Sequence, residues 1–400
     1  MGRALLTALL LAALPLPLAA QGLPSEPVTL ASGRIVLGGD ASAAVATEDA
    51  GFFNYSDYEH STLREVRLGL TASVRASDQI SILGEIRSDN FTSVRPFALF
   101  ARVRPWRNRR FDIQAGRIPP TFGAFTRRAY GHDNPLIGYP LAYQYLTSLR
   151  PDSVPANADE LVRMRGRGWL SNFGVGNTTP ERGLPLVSVF SWDTGVQVSS
   201  GWRALDLTAS VTNGSMSNPR VEDDNDGKQV AARVAVRPMV GLLIGVSAAR
   251  GEFIARRLTE SIAPSEGSGS VQRAFGLDLE LARDHWMVRS DAVLSDWTLP
   301  ILQRPFVHNP LRAVSASVEG RYTILPGLYA AVRIDALAFN KVSGSSQTVP
   351  WDAAVRRVEV GAGYRLQRNV MAKFSVQTNW RDGGRVRRST LPAVQLLYWF

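Results

Sequence analysis

The sequence predicts a transmembrane antiparallel β-barrel of about sixteen strands. Three observations predict it. Apolar and polar residues alternate singly along many stretches of strand length, the joins between those stretches alternate short and long, and the chain ends on a phenylalanine that closes an alternating aromatic stretch. The composition agrees. Hydrophobic residues make up 45% of the 400 and charged residues 20%, which excludes a disordered chain. The longest apolar run, 239–249, is too short for a helix to cross ~30 Å of hydrocarbon. With no cysteine there is no disulfide framework, thiolate metal site or thiol nucleophile.

In chain order, residues 1–20 read as a secretory signal peptide: Arg3, an apolar run from Ala4 to Leu14, then Leu18-Ala19-Ala20 before the cut. Residues 21–33 form a polar, proline-bearing periplasmic tail, and 34–400 form the barrel. The strands are expected at 34–46, 62–76, 79–88, 95–105, 110–118, 185–199, 203–213, 228–237, 241–251, 271–283, 285–296, 311–323, 328–340, 353–366, 369–381 and 390–400. Val66, Leu68, Leu70, Ala72 and Val74 share one face of the second, with Arg67, Thr71, Ser73 and Arg75 on the other. Side chains alternate sides along a strand, so this is one apolar and one polar face. The split recurs at Leu205–Thr212, at Val230, Ala232, Val234 and Val236, and at Phe275, Leu277, Leu279 and Leu281. It recurs again at Val358, Val360, Ala362 and Tyr364, and at Val370, Ala372, Phe374 and Val376. Joins such as 76–78, 200–202, 284 and 367–368 are tight, whereas 47–61, 119–184, 214–227 and 252–270 are long. Aromatic residues Trp202, Trp286, Trp297, Tyr322, Tyr329, Trp351, Trp380 and Tyr398 stand near strand ends, where headgroup-level belts are expected.

With the apolar face toward lipid, the interior carries Glu65, Arg67, Arg75, Glu85, Arg87, Arg102, Arg233, Arg289, Asp291, Arg333, Arg357, Glu359 and Lys373. Many are opposite charges two apart on one strand: Glu65/Arg67, Glu85/Arg87, Arg289/Asp291, Arg333/Asp335 and Arg357/Glu359. A soluble core does not bury so many ionised groups, so a water-filled lumen is expected. Those pairs are expected largely to cancel, which leaves a polar wall with a modest positive surplus. Arginines are spread through strands and turns, which, with export, argues against a nucleic-acid partner. Four histidines without ligand spacing, and an acidic stretch 222–227 with Arg233 where a calcium loop needs glutamate, give no metal or cofactor site. A hydrolytic barrel would draw on a pair such as His132-Asp133; no enzyme is expected.

Val394, Leu396, Tyr398 and the terminal Phe400 lie on one face. This ending resembles the C-terminal strand of bacterial outer-membrane β-barrels, which the barrel-assembly machinery recognises. The whole mature chain resembles the porins in architecture. That resemblance implies a passive channel for small hydrophilic solutes in an outer membrane of lipid and lipopolysaccharide, mildly anion-preferring here, and a homotrimer. The competing reading is a non-conducting barrel whose extracellular loops bind a partner or anchor the envelope. In general diffusion porins the third long loop folds into the barrel, and loop 119–184 is similar in position. Its candidates for a basic constriction are Arg127, Arg128, Arg163, Arg165 and Arg167, with Tyr130, Tyr139, Tyr143 and Tyr145 as lining rings. Gly116 to Gly123 resembles a strand-end stretch of phosphate-selective porins, but their lysine-rich ladder is missing: of 45 basic residues only Lys228, Lys341 and Lys373 are lysine.

Overall fold

The computed structural model describes residues 24–56, 60–222, 227–262, 270–300, 302–308 and 310–400. The signal peptide and most of the acidic stretch 222–227 lie outside the described residues. Sixteen antiparallel strands form the wall: β1 Ile35–Ala46, β2 Val66–Arg75, β3 Ile80–Asp89, β4 Ser93–Val103, β5 Arg110–Ile118, β6 Asp193–Trp202, β7 Leu205–Thr212, β8 Gln229–Met239, β9 Leu242–Glu252, β10 Val271–Arg283, β11 Trp286–Trp297, β12 Leu311–Leu325, β13 Leu328–Phe339, β14 Val355–Gln367, β15 Val370–Arg381 and β16 Arg388–Trp399. Each pairs with the next, and β16 pairs back onto β1 with Asp40 opposite Trp399 and Ala46 opposite Ala393. No helix among the described residues is long and apolar enough to cross a membrane.

Side-chain direction follows the alternation. Leu70, Val230, Phe275, Ile334, Val360 and Leu396 are all more than half exposed on the outer face, an apolar belt that only lipid covers favourably. Their neighbours in sequence point inward, and all but Thr71 are buried. Trp202, Trp286 and Tyr322 form part of a belt at the short-turn end, the last two with ring centroids 4.6 Å apart. Trp297, Trp351 and Tyr329 do not belong to such a belt. They are at most 7% exposed and point into the barrel, so proximity to a strand end did not distinguish the two faces. The turn into β9 needs its glycine: Gly241 has φ +82° and an added Cβ would sit 2.1 Å from the Ala282 carbonyl oxygen.

Closure continues one residue past β16. Phe400 N–H donates to the Gly39 oxygen at 2.9 Å, and Gly39 N–H donates to the Phe400 oxygen at 3.1 Å. Below Gly39 the edge of β1 is taken by Val28–Leu30, which pairs with Ile35–Leu37, so part of the expected tail extends the sheet. These contacts leave no open edge at the seam, and a barrel depends on that. A Cβ on Gly39 would fall 2.7 Å from the Phe400 ring, so Gly39→Val is expected to disrupt the seam. The result should be a lower urea midpoint and less of the compact, heat-sensitive band on electrophoresis. Restoration of that band by Phe400→Ala in the same chain would identify the ring clash as the cause.

The connection after β5 departs most from expectation. It runs from 119 to 192, because the expected strand start at 185 is absent. Leu186, Val187 and Val189 are all buried, with no outward face. This segment turns into the barrel and builds an apolar core there with Phe122, Phe125, Tyr143, Phe173, Trp297, Phe339 and Trp351. The lumen is therefore not simply water-filled. Packed protein fills the interior on the β13–β15 side almost down to the short turns. The inward residues are buried down to Tyr329 and Met371, the second residues of β13 and β15.

Candidate functional site

The inserted segment divides the interior into two unlike sectors. Along β10–β15 it is clamped to the wall. Arg128 pairs with Asp291 at 2.6 Å, Glu359 accepts from Gly138 N–H at 3.0 Å, and Tyr329 OH donates to the Pro135 oxygen at 2.9 Å. Arg357 donates to the carbonyls of Tyr139 and Phe53, both at 2.9 Å, and to Asn379 at 2.7 Å. Lys373 donates to the carbonyls of Gly131, Asn134 and Leu136. Cationic side chains thus cap carbonyls that have no strand to pair with, which lets irregular backbone lie inside the barrel.

Behind these contacts, strand register lines up a row of alternating charge: Glu280 opposite Arg289, Arg289 opposite Glu319, Glu319 opposite Arg333, and Arg333 opposite Glu359. Arg333 bonds Glu359 at 2.6 Å, Asp335 at 3.1 Å and Glu319 at 3.2 Å, and all four groups are at most 1% exposed. Of the same-strand pairs expected from sequence, Glu65/Arg67, Glu85/Arg87 and Arg333/Asp335 form. Arg289 instead pairs with Glu280 at 2.8 Å, Asp291 takes Arg128 from the loop, and Arg357 turns to backbone carbonyls. Side chains two apart on a strand are parallel neighbours, but the cross-strand partner is often nearer, and only the register names it.

The β2–β5 sector is different. At the long-loop mouth a cavity of about 440 Å³ opens between wall and loop, lined by Glu65, Arg67, Asp89, Arg95, Glu181 and Phe190 among others. At the short-turn mouth of the same sector lies a second cavity, of about 310 Å³, lined by Arg75, Ser81, Arg102 and Arg104 among others. A layer of side chains separates them. Arg67 bridges Glu65 and Asp89, each at 2.8 Å, and donates to Tyr139 OH at 3.1 Å. Arg87 pairs with Glu85 at 2.7 Å and lies 3.5 Å over the Phe97 ring. Tyr130 OH, from the loop, donates to Glu85 at 2.6 Å. Burial pushes the Tyr130 phenol above its ordinary range, and the neighbouring Glu85 adds to this, so it stays a donor. Phe97 reaches this layer because the β3–β4 register shifts at Glu85/Ile86 beside Pro96, a bulge that turns Phe97 and Ala98 both inward. No alternation pattern reveals that bulge, although Pro96 inside a strand stretch was a signal for it.

The five candidate arginines of the loop are not brought together. Arg128 is buried against Asp291 on the clamped side. Arg127 lies in the short helix Phe125–Ala129, and its side chain is outside the described set. Arg163 is exposed and pairs with Glu160 at 3.2 Å, Arg165 reaches Asp382 at 3.4 Å, and Arg167 is exposed. The last three stand at the long-loop rim, where Asp159 also meets Ser345; that hydroxyl and the Ser345 N–H hold its carboxyl below the usual range. Tyr143 and Tyr145 are packed inside the loop, Tyr143 stacked on Phe125 at 4.0 Å, while Tyr130 and the Tyr139 hydroxyl reach the separating layer. Of the expected lumen residues, Glu65, Arg67, Arg75, Glu85, Arg87 and Arg102 belong to the β2–β5 sector. Arg289, Asp291, Arg333, Arg357, Glu359 and Lys373 belong to the other, and Arg233, on β8, pairs with its Asp278 at 2.5 Å. His132 lies 3.8 Å from Asp133 with its ring stacked on Trp399, a packing role on this geometry. Among the described residues no cluster of His, Asp or Glu has the form of a metal site.

No family model and no curated protein matches the chain. Solved structures do. The anion-selective porin from Comamonas acidovorans aligns with a TM-score of 0.55 at 8% identity, over 92% of this chain and 99% of that one. The outer membrane channel DcaP of Acinetobacter baumannii aligns at 0.53 with 12% identity, over 94% and 100%. OmpT of Vibrio cholerae in its trimer form aligns at 0.51 with 11% identity, over 92% and 99%. The chain shares the closed sixteen-stranded barrel of these proteins, and at such identities the likeness is one of fold.

Proposed function

We propose that this chain is an outer-membrane diffusion channel for small hydrophilic solutes with a mild preference for anions. One observation carries the reading: two polar cavities open at opposite mouths of the same β2–β5 sector, with a layer that includes Arg67, Glu85, Arg87, Phe97 and Tyr130 between them. A solute moving along this wall exchanges hydration water for guanidinium and carboxylate contacts, and the layer sorts by size and charge. Arg75, Arg95, Arg102 and Arg104 give the route its positive balance. The secretory leader of residues 1–20, an assembly signal in Val394, Leu396, Tyr398 and Phe400, lipopolysaccharide contacts and a homotrimer complete the proposal. The trimer form of the structurally similar Vibrio cholerae OmpT supports the last of these.

Recording from purified barrels in a planar bilayer tests it. Stepwise openings are expected, with a reversal potential in a salt gradient of the sign for anions; a silent bilayer or cation selectivity rejects the proposal. Tyr130→Ala removes the ring from the separating layer and its bond to Glu85, and should raise unitary conductance without lowering the fraction folded. The extent of loop packing favours one other reading, a barrel that does not conduct and acts through its extracellular loops. Folded, silent wild-type barrels that gain current only when the loop is cut away would establish it.

A further inference from the structure

One end of the proposed route is a strongly charged concavity whose charges are not matched. It is the cavity at the short-turn mouth, walled by Arg75, Arg102, Arg104 and Arg107 with Asp78 and Ser81. Register explains the arrangement: Arg75 stands opposite Ser81, and Ser81 opposite Arg102, so two arginines flank a small residue and a hollow remains between them. Asp112 behind the hollow pairs with Arg102 at 3.0 Å and Arg104 at 2.7 Å, while Asp78 pairs with Arg107. Four guanidiniums therefore meet two carboxylates, a surplus of two positive charges. Arg75 is exposed to the cavity and its side chain makes no hydrogen bond or ion pair among the described residues. Deeper in the barrel Arg333 meets three carboxylates, whereas Arg75 meets none. An uncompensated group of like charges is unfavourable by itself, and it is relieved when an anion enters.

We propose that this arginine cavity binds a multiply charged phosphate-type oxyanion carried by a free solute. A planar guanidinium fork pairs two of its N–H donors with two oxygens of one phosphate, a match that a halide does not offer. The surplus of two charges suits a dianion or a more highly charged group. A phosphate at a lipid headgroup has the same chemistry, but Arg75, Arg102 and Arg104 lie on the lumen side of β2 and β4, away from the bilayer. The site's position on the periplasmic side rests on the channel reading; binding itself does not.

Calorimetric titration of the full mature barrel in detergent with inorganic pyrophosphate tests the site without any current. Saturable one-to-one binding is expected. The double variant Arg75→Ala/Arg102→Ala should weaken it by about tenfold or more, as loss of charge-assisted bonds requires. Arg163→Ala, at the opposite rim, should leave it unchanged. Heat-shifted electrophoretic mobility confirms that each variant is folded. Absence of saturable binding, or equal affinity in the double variant, overturns the proposal. Repeating the titration in nanodiscs of phosphatidylcholine with and without phosphatidylglycerol should give the same affinity; loss of binding only where the anionic lipid is present overturns the solute as its source. A silent bilayer with intact pyrophosphate binding would reject the channel and leave this site standing.

Discussion

Replacing residues 124–187 with a short glycine-serine linker is expected to raise single-channel conductance several-fold and to weaken ion selectivity. The linker has little distance to cover, because Ile118 and Asp193 are already paired across β5 and β6. A sixteen-stranded wall without an inserted loop leaves an aqueous channel. Residues removed include Phe125, Tyr143 and Phe173 of the interior core and the backbone groups held by Arg357 and Lys373. Those cations and Glu359 then meet water, which relieves their desolvation and offsets part of the packing lost. The barrel should thus stay folded, as electrophoretic mobility and circular dichroism of the strands would report. A folded deletion variant with wild-type conductance would show that the segment does not occupy the lumen in the membrane.

The second large effect concerns Arg333. Arg333→Ala should destabilise the barrel by about 3–5 kcal/mol, the range for removing one member of a buried ionic network. It leaves Glu319, Asp335 and Glu359 facing one another at almost no exposure, without the cation that now touches all three. Equilibrium urea unfolding from vesicles, followed by tryptophan fluorescence, measures the loss. Arg163→Ala serves as a control, since an exposed pair contributes roughly 0–1 kcal/mol. Arg333→Ala/Glu359→Gln should recover part of the stability by removing one stranded charge, although Gly138 N–H then loses its carboxylate acceptor. A single variant as stable as the control would mean that the row of charges is hydrated and the loop does not seal it.

Much of the fold was legible in the sequence because alternation is a local property. Val66 to Arg75 could be divided into a lipid face and a lumen face without knowing any neighbour, since one peptide unit reverses the side chain. Loop 119–184 was marked as exceptional by its length, but its destination was not. Leu141, Tyr143, Tyr145, Leu149 and Leu184 gave it an apolar content too high for a solvated loop, and that signal was available. The candidate site was less legible. Arg163, Arg165 and Arg167 alternate as neatly as a strand face, yet the short helix Ala158–Arg163 and the turn after it set them at the rim. Nothing local to the chain placed Tyr130 beside Glu85, or Phe97 beneath Arg87.

The sequence by itself determined the number of strands, their lipid-facing sides and the end of the barrel that carries the long loops. Each depends on the period of a strand or the length of a join, and both are written in consecutive residues. Tertiary structure alone decided which charges pair across strands, that the lumen is packed on the β9–β15 side, and that polar cavities remain along β2–β5. Those outcomes depend on register and on contacts between residues as far apart as Phe53 and Arg357 or Gly138 and Glu359. Closing the barrel brings such residues together, and no stretch of sequence records the distance between them.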